Sequence, residues 1–395
     1  MALFEKFQPL ELERQALAEL GVESINVVME DVFSPTEAVI NGRRTILAGT
    51  NNYLGLTFDP ECIESACTAA QKEGTGTTGS RMANGSYSGH LALERELAEY
   101  FGMRGAIVFS TGYVANLGML SSLTGPGDVF LIDADCHASI YDGCRLSGAD
   151  IIRFRHNDAG DLEKRLRRLG DKTANTLIVV EGIYSMLGDR APLAEITDLK
   201  RRYGAYLLVD EAHSLGVLGD NGRGLGEETG VQSHVDFIVG TFSKSLAGIG
   251  GFCVSDHPEL DLIRYANRPY IFTASPSPAT VASTRKALEI LRSRPELREK
   301  LWDNANRLYR GLKELGFVLS PEPSPIIAVR VPSKAQAFAI WLGLQQNGVY
   351  VNLVPGQGSP DGSALLRCSV SAGHSPEQID KIRKAFASQI GIIQG

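Results

Sequence analysis

Apolar and polar positions change rhythm three times along the chain. Over residues 8–20, QPLELERQALAEL, Leu10, Leu17 and Leu20 recur at helical spacing with charges between them, which predicts an arm helix. Residues 36–58 read as short extended pieces, and Asn41-Gly42 between AVI and RRTIL is the dipeptide of a tight hairpin turn. From about residue 90, helical stretches alternate with apolar runs: GAIVFS (105–110), VFLID (129–133), DIIRF (150–154), TLIVVEG (176–182), AYLLVDEAH (205–213) and DFIVGTFSK (236–244). Runs of this length spaced by helices predict a mostly parallel sheet covered on both faces, an α/β fold. From about residue 276 a long helical run, ATVASTRKALEILRS then PELREKLWDNANRLYRGLKELG, precedes IIAVRV, another helix, YVNLV and ALLRCSV. That predicts a smaller α+β domain with an antiparallel sheet. The expected division is an arm over 1–45, a large domain over 46–275 and a small C-terminal domain over 276–395.

Composition narrows the classes. A chain of 395 residues buries a large core without disulfide or metal staples. Its six cysteines are scattered, which fits free thiols in a reducing compartment. Cys136-His137 with Cys144 lacks a second C-x-x-C or H-x-x-x-H pair, so no metal site is expected. With 39 Lys and Arg against 46 Asp and Glu the formal charge is −7, a poor match to nucleic acid. The start, MALFEKFQPLELERQ, carries charge from Glu5 and Lys6 onward and does not read as a signal peptide. No run of about 18 apolar residues occurs, so the expectation is a cytoplasmic protein without a membrane span. Leu3, Phe4 and Phe7 allow at most peripheral contact with an inner membrane, and contact with a partner subunit is the stronger reading. The 42 glycines, about 11% of the chain against an average near 7%, point to tight turns and close backbone approaches.

Gly74-Thr-Gly76-Thr-Thr-Gly79 is a literal G-x-G-x-x-G, but CIESACTAAQKE before it looks helical and SRMANGSYSGH after it looks like loop. A dinucleotide fingerprint needs a strand before and a helix after, so this reads instead as a loop near an active site. A different constellation carries chemistry. Asp210 ends the apolar run LLVD and is followed by Glu211-Ala-His213. The next run, DFIVG, ends in Thr241-Phe-Ser243-Lys244-Ser245 and the Gly-rich GIGGF. Carboxyl ends of strands are where open α/β sheets bind ligands. A Lys there, flanked by hydroxyls and glycines, suits a Schiff-base amine beside a phosphate. A neighbouring carboxylate suits a protonated pyridine nitrogen, whose ring then accepts electrons from a carbanion. Ser110-Thr111-Gly112-Tyr113-Val114-Ala115-Asn116 follows the GAIVF run and opens a helix N-terminus, a natural phosphate seat. His137, in Asp133-Ala-Asp135-Cys136-His137-Ala138-Ser139, sits just past another strand end, where an imidazole can stack on a flat ring.

These segments, STGYVAN, DADCHASIYDG, VDEAHSLGVLG, GTFSKSLAGIGGF and RPYIFTAS, together resemble the α-oxoamine synthases, fold-type I pyridoxal-phosphate enzymes. The resemblance runs from roughly residue 30 to the C-terminus. VVMEDVFSPTEAVINGRRTILAGTNNYLGLTFDP, RFRHND and GTFSKS look most like the bacterial serine palmitoyltransferase branch. The resemblance implies pyridoxal 5'-phosphate as cofactor, with Lys244 carrying it and later moving the substrate Cα proton. It implies Asp210 on the pyridine nitrogen, His213 on the phenolic oxygen and His137 stacked on the ring, near the amino-acid carboxylate. Gly112, Tyr113, Thr241 and Ser243 would surround the phosphate, and Ser185 would join the cofactor contacts. Thr273 would reach the same phosphate from the other subunit, which implies a homodimer with its site at the interface. Arg367, in LLRCS, would bind the substrate carboxylate, with Asn52 nearby.

The implied reaction is a decarboxylating condensation of L-serine with a long-chain acyl thioester to 3-ketosphinganine. A related synthase using glycine or alanine, a transaminase and a non-catalytic subunit are the rival readings, and Lys244 argues against the last. The chain also departs from its branch, whose members carry an Arg-Pro-Pro-Ala-Thr-Pro loop before the LLRCS strand. Here the stretch is Leu353-Val354-Pro355-Gly356-Gln357-Gly358-Ser359-Pro360, with Val354 where the arginine would align. RPYIFTAS is likewise followed by Pro276-Ser277-Pro278 instead of Leu-Pro-Pro. The first departure leaves open how the carboxylate is repositioned when the thioester arrives, and whether acyl-CoA or acyl carrier protein is the donor.

Overall fold

A computed structural model describes residues 3–19, 27–354 and 362–394. Leu20 and the Pro355–Pro360 stretch lie outside the described residues, as does the side chain of Leu17. The chain divides into two compact units. One comprises Met1–Thr50, Asn304–Val370 and His374–Gly395; the larger comprises Asn51–Asp303 with Ser371–Gly373.

The arm helix is α1 (Gln8–Glu19). β1 (Val32–Ser34), β2 (Glu37–Ile40) and β3 (Arg43–Leu47) follow. β2 and β3 form the expected hairpin, with Ile40 opposite Arg43. Asn41 and Gly42 turn it at φ 51° and 67°, the positive values a two-residue turn of this hand requires.

The larger unit begins with α2 (Pro60–Glu73), entered through Asp59, whose carboxylate accepts from the Glu61 and Cys62 amides. α3 (Ser88–Phe101), β4 (Gly105–Phe109), α4 (Gly112–Leu123), β5 (Val129–Asp133), α5 (Ala138–Ser147), β6 (Asp150–Phe154) and α6 (Ala159–Leu169) come next. They lead to β7 (Thr176–Glu181), α7 (Leu193–Tyr203), β8 (Tyr206–Asp210), the short α8 (Leu225–Glu228), β9 (Phe237–Thr241) and β10 (Gly251–Ser255). α9 (Leu260–Ala266), α10 (Arg268–Ile271) and α11 (Pro278–Ser293) complete the run.

All six apolar runs are strands of one seven-stranded sheet, ordered β4-β10-β9-β8-β7-β5-β6. β6, β5, β7, β8 and β9 run parallel. Every residue of β5, β7 and β9 is buried, as strands covered on both faces must be. β10, which no apolar run in the sequence announced, lies antiparallel to both β9 and β4 and joins β4 to the rest. Gly74 ends α2, so the G-x-G-x-x-G segment connects two helices and has no strand before it.

After α12 (Glu296–Glu314), β11 (Val318–Leu319), β12 (Ile326–Val331), α13 (Lys334–Gln346), β13 (Val349–Tyr350), β14 (Asn352–Val354), β15 (Ala364–Ser369), α14 (Pro376–Ala387) and the short α15 (Ile390–Gln394) follow. β11-β12-β15-β14 is the expected antiparallel sheet. YVNLV, read as one strand, is divided at Val351. β13 pairs in parallel with β3, whereas β14 pairs with β15. Trp341 Nε1 donates to the Val351 carbonyl at 2.9 Å, which satisfies the backbone where the chain leaves one sheet for the other.

Candidate active site

Three strand ends of the larger unit stand side by side. Glu181 ends β7 in register with Asp210, and Asp210 is in register with Val239 of β9. Together with the starts of α4 and α5 they enclose a cavity of about 260 Å³. Its wall carries Gly112, Tyr113, His137, Asp210, His213, Thr241, Ser243 and Lys244, eight residues the sequence singled out. Asn116, Ser139 and Glu181 line it as well.

α4 starts at Gly112 because Thr111 caps it, accepting from the Val114 amide at 3.0 Å. The amides of the first turn have no carbonyl within the helix to bond, so this end of α4 offers free donors and a positive dipole. A Cβ on Gly112 would stand 2.8 Å from Thr241 Cβ, and one on Gly251 would stand 2.6 Å from Gly112 Cα. Only glycine lets β9, β10 and the head of α4 approach this closely. Thr241 Oγ1 donates to the Gly250 carbonyl at 3.0 Å and lies 2.9 Å from Ser243 Oγ. Two hydroxyls therefore stand at the turn that leads into half-buried Lys244.

Asp210 is 5% exposed. Its Oδ2 accepts from Asn116 Nδ2 at 2.7 Å and its Oδ1 from the Ala212 amide at 2.9 Å. Beside it, burial, together with the charge of Asp210, pushes the Glu181 carboxyl well above the usual carboxylate range. Glu181 accepts the backbone N–H of His137. His137 caps α5, its Nδ1 facing Ser139 Oγ at 2.8 Å. Burial lowers its pKa; Asp210 opposes that and Lys244 adds to it. His213 is nearly buried, and its Nδ1 lies 2.7 Å from the hydroxyl of the fully buried Tyr53. The arrangement offers one amine, one carboxylate fixed by two donors, two imidazoles and a donor-rich anion seat.

The family model for class I and II aminotransferases matches residues 44–386. A serine palmitoyltransferase from Caulobacter vibrioides is 56% identical over 100% of this chain and 98% of its own. An 8-amino-7-oxononanoate synthase from Alkaliphilus metalliredigens is 36% identical over 95% of this chain and 96% of its own. The chain belongs to the α-oxoamine synthases. A solved structure of serine palmitoyltransferase from S. paucimobilis, with a bound PLP–myriocin aldimine, superimposes with a TM-score of 0.97 at 48% identity and covers both chains fully.

This α-oxoamine synthase places its other expected residues outside the lining of the cavity. Asn52 follows β3; its Nδ2 donates to Thr57 Oγ1 at 2.7 Å, and its buried Oδ1 has no partner among the described residues. Ser185 lies half-buried in the turn after β7, and Thr273 lies half-buried just past α10. Arg367 is a buried residue of β15 in the smaller unit, donating to Ser369 Oγ at 2.9 Å. The Gly74–Gly79 loop is held by Ser275, whose amide donates to the Gly79 carbonyl and whose hydroxyl meets Thr77 Oγ1 at 3.0 Å.

Glu181 and Tyr53 were not singled out from the sequence, and Asn116 and Ser139 closed two of its motifs without a role of their own. Glu181 obeys the same strand-end rule as Asp210. Asn116 lies one helical turn beyond Gly112, and Ser139 two residues beyond His137. Tyr53 carries no local signal, since its partner is 160 residues away. The six cysteines have free thiols, and all but Cys67 are buried.

Proposed function

We propose that this α-oxoamine synthase binds pyridoxal 5'-phosphate in the cavity and catalyses decarboxylating condensation of L-serine with a long-chain acyl thioester to 3-ketosphinganine. The observation that carries the reading is the convergence of Lys244, Asp210, His213 and His137 on one cavity, in a chain that matches serine palmitoyltransferase over its full length. The glycine-lined head of α4, with two hydroxyls beside it, fits a phosphate, and Asp210 between two donors fits a cationic pyridine nitrogen.

When bound, pyridoxal phosphate supplies an electron sink for charge that develops at the amino-acid Cα. Lys244 holds the cofactor through Nζ and afterwards takes and returns the Cα proton. Asp210 keeps a proton on the pyridine nitrogen, and Asn116 and the Ala212 amide orient that carboxylate. His213, steadied by Tyr53, bonds the phenolic oxygen. His137 stacks on the ring and helps hold the amino-acid carboxylate. The Gly112 and Tyr113 amides and the Thr241 and Ser243 hydroxyls take the phosphate, joined by Thr273 of a second subunit in a homodimer. Ser185 adds a cofactor contact, and Arg367 with Asn52 binds the substrate carboxylate.

The functional division proposed, an arm over 1–45, a cofactor domain over 46–275 and a small domain over 276–395, differs from the compact units, which group the arm with the C-terminal segment and α11 with the cofactor domain. No helix among the described residues is long and apolar enough to cross a membrane. We assign the enzyme to the cytoplasm. Exposed Leu3, Phe4 and Phe7 are assigned to contact with the partner subunit, ahead of peripheral contact with lipid.

Product analysis by mass spectrometry, crossing L-serine, glycine and L-alanine with acyl-CoA and acyl carrier protein thioesters, tests the reaction. A long-chain amino ketone formed from serine with release of carbon dioxide is expected. Condensation confined to glycine or alanine, or turnover without any thioester, would overturn it.

A further inference from the structure

Which nitrogen of His137 carries its proton is decided by a chain of hydrogen bonds that begins at Asp210. An ionised carboxylate only accepts. The Asn116 atom 2.7 Å from Asp210 Oδ2 must therefore be the amide nitrogen, which fixes the orientation of that side chain. The same nitrogen lies 3.0 Å from Ser139 Oγ and gives its second proton there. Having accepted from Asn116, the Ser139 hydroxyl still has its own proton to donate, and His137 Nδ1 lies 2.8 Å away. The Ser139 backbone N–H points to the same nitrogen at 3.2 Å. A ring nitrogen that accepts from two donors carries no proton, so the imidazole proton sits on Nε2.

Burial makes this direction hard to reverse. Asn116 is 2% exposed and Ser139 1%, so neither can trade its partner for bulk water. Turning the Asn116 amide over would set its oxygen against the Asp210 carboxylate.

We propose that Asn116 and Ser139 are positioning residues that hold His137 neutral and in its Nε2–H form, so that the ring offers the cavity a hydrogen-bond donor. This rests on the proposed function, in which the cavity receives an amino-acid carboxylate. A neutral ring also serves the stacking role. An imidazolium laid on a protonated pyridine would repel the charge that Asp210 is there to hold. The groups around His137 are Asp210 at the end of β8, Lys244 after β9, Glu181 at the end of β7, Asp142 on α5 and Tyr113 on α4, whose ring meets it edge-on at 6.3 Å. Burial lowers the His137 pKa in the same direction.

Isotope-edited NMR of the histidine ring nitrogens in the holoenzyme reads the tautomer directly, with His137 assigned by loss of its signals in His137→Gln. Near neutral pH, Nε2 is expected to be protonated and Nδ1 bare. Ser139→Ala and Asn116→Leu should each let an Nδ1–H fraction appear. Each should weaken L-serine binding, read from the visible spectrum, by about tenfold, and the double variant should be no weaker than either single one. A proton on wild-type Nδ1, or serine affinity unchanged in both variants, would overturn the proposal. If a variant fails to fold, the wild-type tautomer still decides. Absence of serine turnover with a correct tautomer would sink the proposed reaction and leave the positioning role intact.

Discussion

Glu181 and Asp210 sit side by side at the ends of neighbouring strands, and two buried carboxylates at that spacing cannot both ionise cheaply. Burial and the charge of Asp210 raise the Glu181 pKa and so favour its neutral form, which accepts the His137 amide. Asp210 faces two donors instead. The two residues should therefore respond oppositely to loss of a carboxyl. Asp210→Asn is expected to lower kcat/KM by about 100-fold or more, because a neutral amide does not hold a pyridinium proton. Glu181→Gln should stay within about threefold of wild type, since it replaces one neutral acceptor with another. Steady-state kinetics on both variants checks the pair, and equal losses would refute the division of labour.

Between elements, His156 ties two loops together. Its Nδ1 faces Asp133 at the end of β5 at 2.8 Å, and its Nε2 faces Asp189 in the loop after β7 at 2.7 Å. Tyr184 of that loop packs edge-on against the ring, with centroids 4.5 Å apart. The first loop leads to His137 and the second carries Ser185. Burial alone would lower the His156 pKa, but the Asp133 and Asp189 hydrogen bonds override it and push it up to about 10. A folded-state value above the ordinary 6.5 means that the stabilisation is complete below about 6.5 and drains away as pH rises toward about 10. His156→Gln should cost about 2–3 kcal/mol near neutral pH, the scale of hydrogen bonds to charged groups. Its Tm should also fall less than that of wild type between neutral and alkaline pH, as calorimetry across that window would show. Parallel Tm curves for the two proteins would exclude a charged bracket.

The elements themselves were largely readable beforehand. The six apolar runs became strands, and Asn41-Gly42 turned a hairpin, because burial on both faces and positive φ each leave a local mark. β10 escaped notice because GFCVS follows a glycine cluster that masks a short strand. Val351 divided YVNLV because two different sheets claim its two halves. That is a competition between distant partners, and no local pattern records it.

For the molecule as a whole, the proposed role of Thr273 makes a shared site the central expectation. A site built from Lys244 of one subunit and Thr273 of the other predicts complementation. Lys244→Ala lacks the amine, and Thr273→Glu sets a negative charge against the phosphate. Neither should turn over alone. Co-refolded in equal amounts, they should recover about a quarter of wild-type activity, since half the dimers are mixed and each mixed dimer has one intact site. No recovery, with mixed dimers shown by native mass spectrometry, would place both residues in one subunit.

Residue type and strand-end position already drew an amine, a carboxylate, two imidazoles and a glycine-led helix start together, because parallel strands deliver their carboxyl ends to one edge whatever the details of the fold. Charge and composition had also set nucleic acid aside. Folding alone brought Tyr53 to His213 and Asn116 to Asp210. It also put Ser139 between Asn116 and His137. Hydrogen-bond direction, tautomer and the ownership of a proton depend on distances of about 3 Å between groups far apart in the chain, and those distances exist only once the strands have stacked in order.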